Sequence, residues 1–187
     1  MKKTILLLIL FTTLGVKSQN IEVEKSITGT QIGLFGLNIY NESKLFENTS
    51  LRTEMSLNPI IWGGTMYPNT GFAFFPSISL QPKYYYNLKK RNEKGKNTAH
   101  NSGNYIGLQL GYTPDWFTIS NYDHFTMYNQ VHLVPTFGIR RSFTKSFNYE
   151  FKVGLGYGST FGYENNQSGA VIDLGMKIGY DFFVHKN

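Results

Sequence analysis

Cysteine is absent from all 187 residues, which excludes a disulfide framework, a thiolate zinc site and a cysteine nucleophile. Charge is scarce, at 16% of residues, whereas 13 Tyr, 15 Phe and 2 Trp make the chain rich in aromatics, the reverse of a disordered composition. No two histidines stand at i, i+2 or i, i+4, so no metal-ligand spacing is present. Nor does a glycine-rich phosphate loop lead into a helix, because no window carries a 3.6-residue apolar period. No cofactor is implied.

The strongly apolar run Ile5 to Phe11 is about half the ~20 residues a membrane-spanning helix requires. It follows basic Lys2 and Lys3 and precedes Val16 and Ser18, which suit the −3 and −1 positions of a signal-peptidase site. Residues 1–18 are therefore expected to be a cleaved secretory signal peptide, with 19–187 the mature domain. The missing Cys at that junction argues against a lipoprotein. Because 1–18 hold three lysines and no acid, only half of the chain's net charge of +6 stays with the domain, too little to imply nucleic acid.

The rest of the chain alternates. In 172–184, Ile172, Leu174, Met176, Ile178, Tyr180, Phe182 and Val184 interleave with Asp173, Gly175, Lys177, Gly179, Asp181 and Phe183. Successive strand side chains point to opposite faces, so one face is apolar and the other charged or glycine. Similar two-residue patterns run through 51–61, 72–88, 105–116, 128–143 and 149–161. Segment 31–42 changes phase between Ile32/Leu34 and Phe35/Leu37/Ile39, which suggests a bulge near Gly33 or Gly36. An eighth strand is expected over 21–28. Glu42, on the phase of Leu34, reads as a solvated turn residue.

Soluble sandwiches and barrels alternate as well, but three features separate this chain from them. Its runs of 12–16 residues exceed the ~5–6 of globular strands and suffice for the ~9–11 tilted residues that cross a bilayer. Its polar face combines glycines with charges of both signs, namely Arg52, Glu54, Lys83, Arg140, Glu150, Lys152, Asp173, Lys177 and Asp181. Opposed charges pair well in a closed interior, and glycines relieve crowding there. Aromatics also gather toward strand ends. The expectation is an all-β, antiparallel up-and-down transmembrane β-barrel of about eight strands, with those nine charges as a structural lumen network.

The C-terminal run Lys177-Ile178-Gly179-Tyr180-Asp181-Phe182-Phe183-Val184 resembles the β-signal of bacterial outer-membrane barrels. Lys177, Gly179, Phe182 and Val184 match that pattern, and the tail His185-Lys186-Asn187 departs from it. The mature chain as a whole is similar to the small, eight-stranded members of that class. The resemblance implies a cell outer-membrane location, outer-membrane lipids as surroundings, insertion by the barrel assembly machinery, and a monomer. With the C-terminus periplasmic, connections near 63–71, 115–127 and 162–168 face outside. Those near 43–50, 88–103 and 143–147 then face the periplasm.

Function is less legible. The lysine-rich stretch with Lys89, Lys90, Arg91, Lys94 and Lys96 reads as a solvated, mobile loop, or as a contact for an acidic partner or lipid headgroups. Lipid-modifying chemistry would need a Ser–His–acid set. His100 and His185 have no acid at strand spacing, Asp123-His124 are mere sequence neighbours, and His132 points inward with Gln130. No catalytic residue is expected. Eight strands leave a lumen that side chains fill, so an open pore is not expected either. A structural or surface-binding barrel fits best, its outer loops holding Tyr67, Trp116, Tyr122, Tyr163 and Asn165. A lipid-modifying barrel enzyme and a secreted soluble β-barrel or sandwich are the alternatives.

Overall fold

A computed structural model describes residues 21–34, 36–64, 70–122, 125, 127–162 and 166–186. The expected signal segment 1–18 lies outside them, as do Tyr67, Asp123, His124, Tyr163 and Asn165. The chain is all-β. Its strands are β1 (Ser26–Gly33), β2 (Gly36–Phe46), β3 (Thr49–Trp62), β4 (Gly71–Tyr85), β5 (Asn104–Thr113), β6 (Ile119–Ser120), β7 (Asn129–Ser142), β8 (Phe147–Phe161) and β9 (Gln167–His185). They form one nine-stranded antiparallel sheet in the order β3-β2-β1-β9-β8-β7-β5-β4-β6, and β3 also pairs β4. That last pairing closes the eight long strands into a ring. The two-residue β6 lies against β4 near its start.

The alternation seen in the sequence sets the two surfaces. Leu155, Leu174 and Ile178 stand exposed at 67%, 53% and 51% on the outer wall. Their polar neighbours in sequence point into the ring, where Arg52, Lys83, Arg140, Glu150 and Asp181 are buried. Oil lies outside and charge inside, the reverse of a soluble barrel. Rings on the outer wall cluster at the end where β1 begins and β9 stops. Phe143, Phe147, Tyr180 and Phe182 are linked there at centroid separations of 5.9, 5.1 and 5.6 Å.

Several boundaries differ from the sequence reading. The phase change in 31–42 is a hairpin, not a bulge: Gly33 pairs Gly36, and β1 and β2 fold back on each other. Gly36 requires glycine, since its φ is +116° and a Cβ would meet the Leu57 carbonyl oxygen at 2.1 Å. The eighth strand therefore spans Ser26–Gly33, while Ile21 and Val23 precede it and pack at the ring's end with Tyr85, Leu88 and Tyr105. A real bulge lies in β9, where the register shifts opposite Thr28/Gly29 and turns Phe183 outward.

The lysine-rich segment is not a plain mobile loop. It holds helix α1 (Leu88–Glu93) and a 3-10 turn (Ala99–Asn101), although no helix was expected. Lys89, Lys90, Lys94 and Lys96 are exposed, whereas Leu88, His100, Asn101 and Ser102 are buried. Arg91 is anchored by its bond to the Asn97 carbonyl at 2.9 Å, and desolvation holds its guanidinium below the usual arginine value. This segment folds back across the ring as a plug.

Candidate functional site

The lumen has two storeys. In the lower one, nearest the start of β1 and the end of β9, Glu150 on β8 is the hub: Lys83 Nζ lies 2.7 Å from its Oε1, and Arg52 and Arg140 approach its Oε2 at 3.3 and 3.4 Å. Tyr105 Oη donates to the same carboxylate at 2.5 Å. Arg140 also pairs with Asp181 at 2.9 Å, and Arg52 with Glu54 at 2.5 Å. Glu54 in turn takes Lys177 at 2.6 Å. Higher up, Lys152 pairs with Asp173 at 2.8 Å. All nine charges singled out from the sequence thus face the lumen, seven in one connected network and two as a separate pair.

Glu42 corrects the reading of a solvated turn residue. It is fully buried, lies 3.5 Å from Lys83, and accepts bonds from Ser50, Tyr85 and Asn101 at 2.8, 2.8 and 2.7 Å. Tyr40 was missed as well. Its ring lies 3.7 Å from the Arg52 guanidinium carbon and 5.2 Å from that of Arg140, and its hydroxyl bonds Asp181. Cation–π contact of this kind lets desolvated guanidiniums share one aromatic face. With Glu42 included, five acids face five bases, so the lumen balances its own charge and each ion keeps a partner.

His100 gains the acid partner that strand spacing did not offer. Its Nδ1 lies 2.7 Å from Asp181 Oδ2, and its carbonyl accepts Arg140 Nε at 3.0 Å. His100 and Asn101 both sit in the left-handed region, at φ 54° and 56°. Such strain costs about 1–3 kcal/mol per residue and persists only where surroundings hold it. Here the Asp181 and Glu42 bonds, together with Glu24 N–H to Asn101 Oδ1 at 2.8 Å, do the holding. The His–Asp pair and the Arg140 bond to the His100 carbonyl seat the plug on the barrel wall.

The matched C-terminal positions lie in β9. Lys177 points inward to Glu54, and Phe182 is exposed on the outer wall. Val184 is half-buried opposite Ile27. Gly179 is buried where a Cβ would come 2.3 Å from the Thr30 carbonyl oxygen, so only glycine permits β1 to close on β9.

The upper storey is open. A cavity of about 310 Å³ is bounded by Gln109, His132, Lys152, Asp173 and Lys177 among others, with Gln109 Nε2 3.3 Å from His132 Nε2. Below it, at the level of Arg52, Glu150 and Lys152, the remaining space falls to about 10 Å³, about one water. Trp116 and Tyr122 are exposed on the connection between β5 and β7. Among the described residues no group of His, Asp and Glu could hold a metal ion.

No family model, curated protein or solved structure matches the chain. What the geometry defines is a class: a closed antiparallel ring with an apolar outer wall, an ion-paired lower lumen and a plugged end.

Proposed function

We propose that this chain is a small outer-membrane β-barrel with no through-pore and a structural or surface-binding role, exported by residues 1–18. The carrying observation is the inverted wall: Ile172, Leu155 and Leu174 outside, paired ions inside. In water that wall would expose an apolar patch far beyond the few hundred Å² ordinary for a soluble monomer; in a bilayer it is solvated by acyl chains. Closure of the lower lumen by the Glu150 hub, backed by the plug, argues against diffusion through the barrel. The His100–Asp181 pair, bonded into that plug, does not favour catalysis.

Fractionation and gel mobility test the reading together. The folded protein should stay with outer membranes after carbonate washing and run faster unheated than boiled. In planar bilayers it should give no steady conductance. Release into the soluble fraction would overturn the membrane assignment, and stable open channels would overturn the closed lumen.

A further inference from the structure

One part of the wall stops short. β1 ends at Gly33 opposite Lys177, and the Leu34 N–H reaches the Met176 carbonyl at 3.4 Å. Beyond that point β9 runs on to Gln167 with β8 on one side only. β2 begins level with the middle of β3, its last pair there being Leu37 with Leu57, and β3 continues through Asn58–Trp62 held by β4 alone. Among the described residues no strand covers these two free edges. Two absent strands at about 4.8 Å spacing leave up to about 14 Å between the flanking strand axes, measured along the wall.

The hairpin tip beneath this slot is apolar, with Ile32 exposed at 62% and Leu34 at 71%, whereas the turns at the opposite end carry Glu47, Asn48, Thr144 and Lys145. An apolar tip belongs at the depth of acyl chains. The cavity supplies an independent observation. It is lined by every residue from Val171 to Lys177, so it meets inward Asp173 and Lys177 and outward Ile172, Leu174 and Met176 alike. Gly33, where β1 ends, lines it too, so the cavity runs along the stretch of β9 that β1 leaves uncovered. The lumen cavity therefore lies directly beside the slot.

Its chemistry narrows the occupant. Both lysines at the foot of the cavity are already paired, Lys152 with Asp173 and Lys177 with Glu54, so no charge is offered to an ionic head. Neutral polar groups line it instead: Asn58 Nδ2 donates to Ser77 Oγ at 2.8 Å and Gln109 Nε2 lies 3.3 Å from His132 Nε2. That leaves the Asn58 carbonyl oxygen and the Ser77 hydroxyl hydrogen for an uncharged head. About 310 Å³ lies at the small end of ligand pockets, which suits one chain rather than a two-chain lipid. We propose that the slot above the β1–β2 hairpin admits, from the bilayer, the acyl chain of a single-chain amphiphile with an uncharged hydroxyl-bearing head. The head lodges among Asn58, Ser77, Gln109 and His132, and the chain leaves past Ile172, Leu174 and Met176. The inference rests on the membrane reading above.

The test uses the refolded barrel in phosphatidylcholine nanodiscs with monoacylglycerol carrying a nitroxide on its chain. Wild type should show a motionally restricted component that Ser77→Trp, filling the cavity, lowers by about fivefold or more. Gly175→Leu fills it from the opposite wall, where a Cβ meets only Lys152 at 3.4 Å, and should act alike. Leu155→Trp on the outer face of β8 should leave the signal unchanged, and nitroxide stearate at pH 8 should bind less than the glycerol ester. An inserted, heat-modifiable barrel that restricts no probe would overturn the slot; so would undiminished binding in both filled variants, or a preference for stearate. Failure to enter nanodiscs at all would instead overturn the membrane reading on which the slot depends.

Discussion

Glu150 carries more of the lower lumen than any other side chain, since it is the anion shared by Lys83, Arg52 and Arg140. Removing one partner of a buried pair leaves uncompensated charge, at about 3–5 kcal/mol. Glu150→Ala should therefore lower the unfolding free energy of the refolded barrel, from urea titration, by that amount and bring the midpoint down with it, and Glu150→Gln, which keeps shape but not charge, should recover only a minor part. An unchanged midpoint would show that water, not Glu150, solvates the three cations. Gly179→Ala should fail differently, by lost folding yield, because its Cβ would strike the Thr30 carbonyl on the neighbouring strand. That variant is scored by the heat-shifted gel band. The charges were legible as residues because alternation alone fixes which side of a strand they share. Glu42 reads as solvated only while the phase change before it is counted as a bulge. Once the turn resets the count, Leu37 and Ile39 face out and Asn38, Tyr40 and Glu42 face in. Tyr40, Tyr85 and Tyr105 went unnoticed because an aromatic on the polar phase carries no sign of its own until the guanidiniums and carboxylates around it are placed.

Among the elements, the β1–β2 hairpin and the plug depart most from the sequence reading, and for different reasons. The hairpin turn has no Asn-Gly or Asp-Gly signal, only apolar residues flanked by Gly33 and Gly36, so local turn chemistry does not announce it. Its depth can be measured. Leu34→Arg should destabilise the barrel by about 2–4 kcal/mol if the tip lies among acyl chains, while Thr144→Arg at the opposite, solvated turn should change stability by less than about 1 kcal/mol. Equal, small effects would place the tip in water. The plug was unreadable from periodicity because α1 is only six residues long, and its buried contacts, Asn101 to Glu42 and His100 to Asp181, span 59 and 81 positions. Prolines were a usable signal left unused. Pro82 and Pro135 sit where the β4–β5 and β7–β8 ladders each skip two successive pairs without changing register, consistent with a residue that has no N–H.

For the whole molecule the governing fact is the exchange of inside and outside. Eight long strands close into one ring, and the interior balances five acids against five bases. Fold class follows from alternation, but alternation is the same whichever face meets water. In the sequence the direction of the apolar face therefore rests on strand length, the mixed charges and the aromatics, and the closed ring then shows it outward. The absence of cysteine permits a direct measurement of that direction. Single nitroxide-labelled cysteines placed in turn along β8 from Tyr149 to Phe161, in vesicles, report contact with oxygen, which concentrates in lipid, and with a water-soluble nickel chelate. Labels at 151, 153, 155 and 157 should favour oxygen strongly, with the ratio dropping at 152, 154 and 156. Uniform access of the nickel chelate to 153, 155 and 157 would place those side chains in water and contradict a lipid-facing wall.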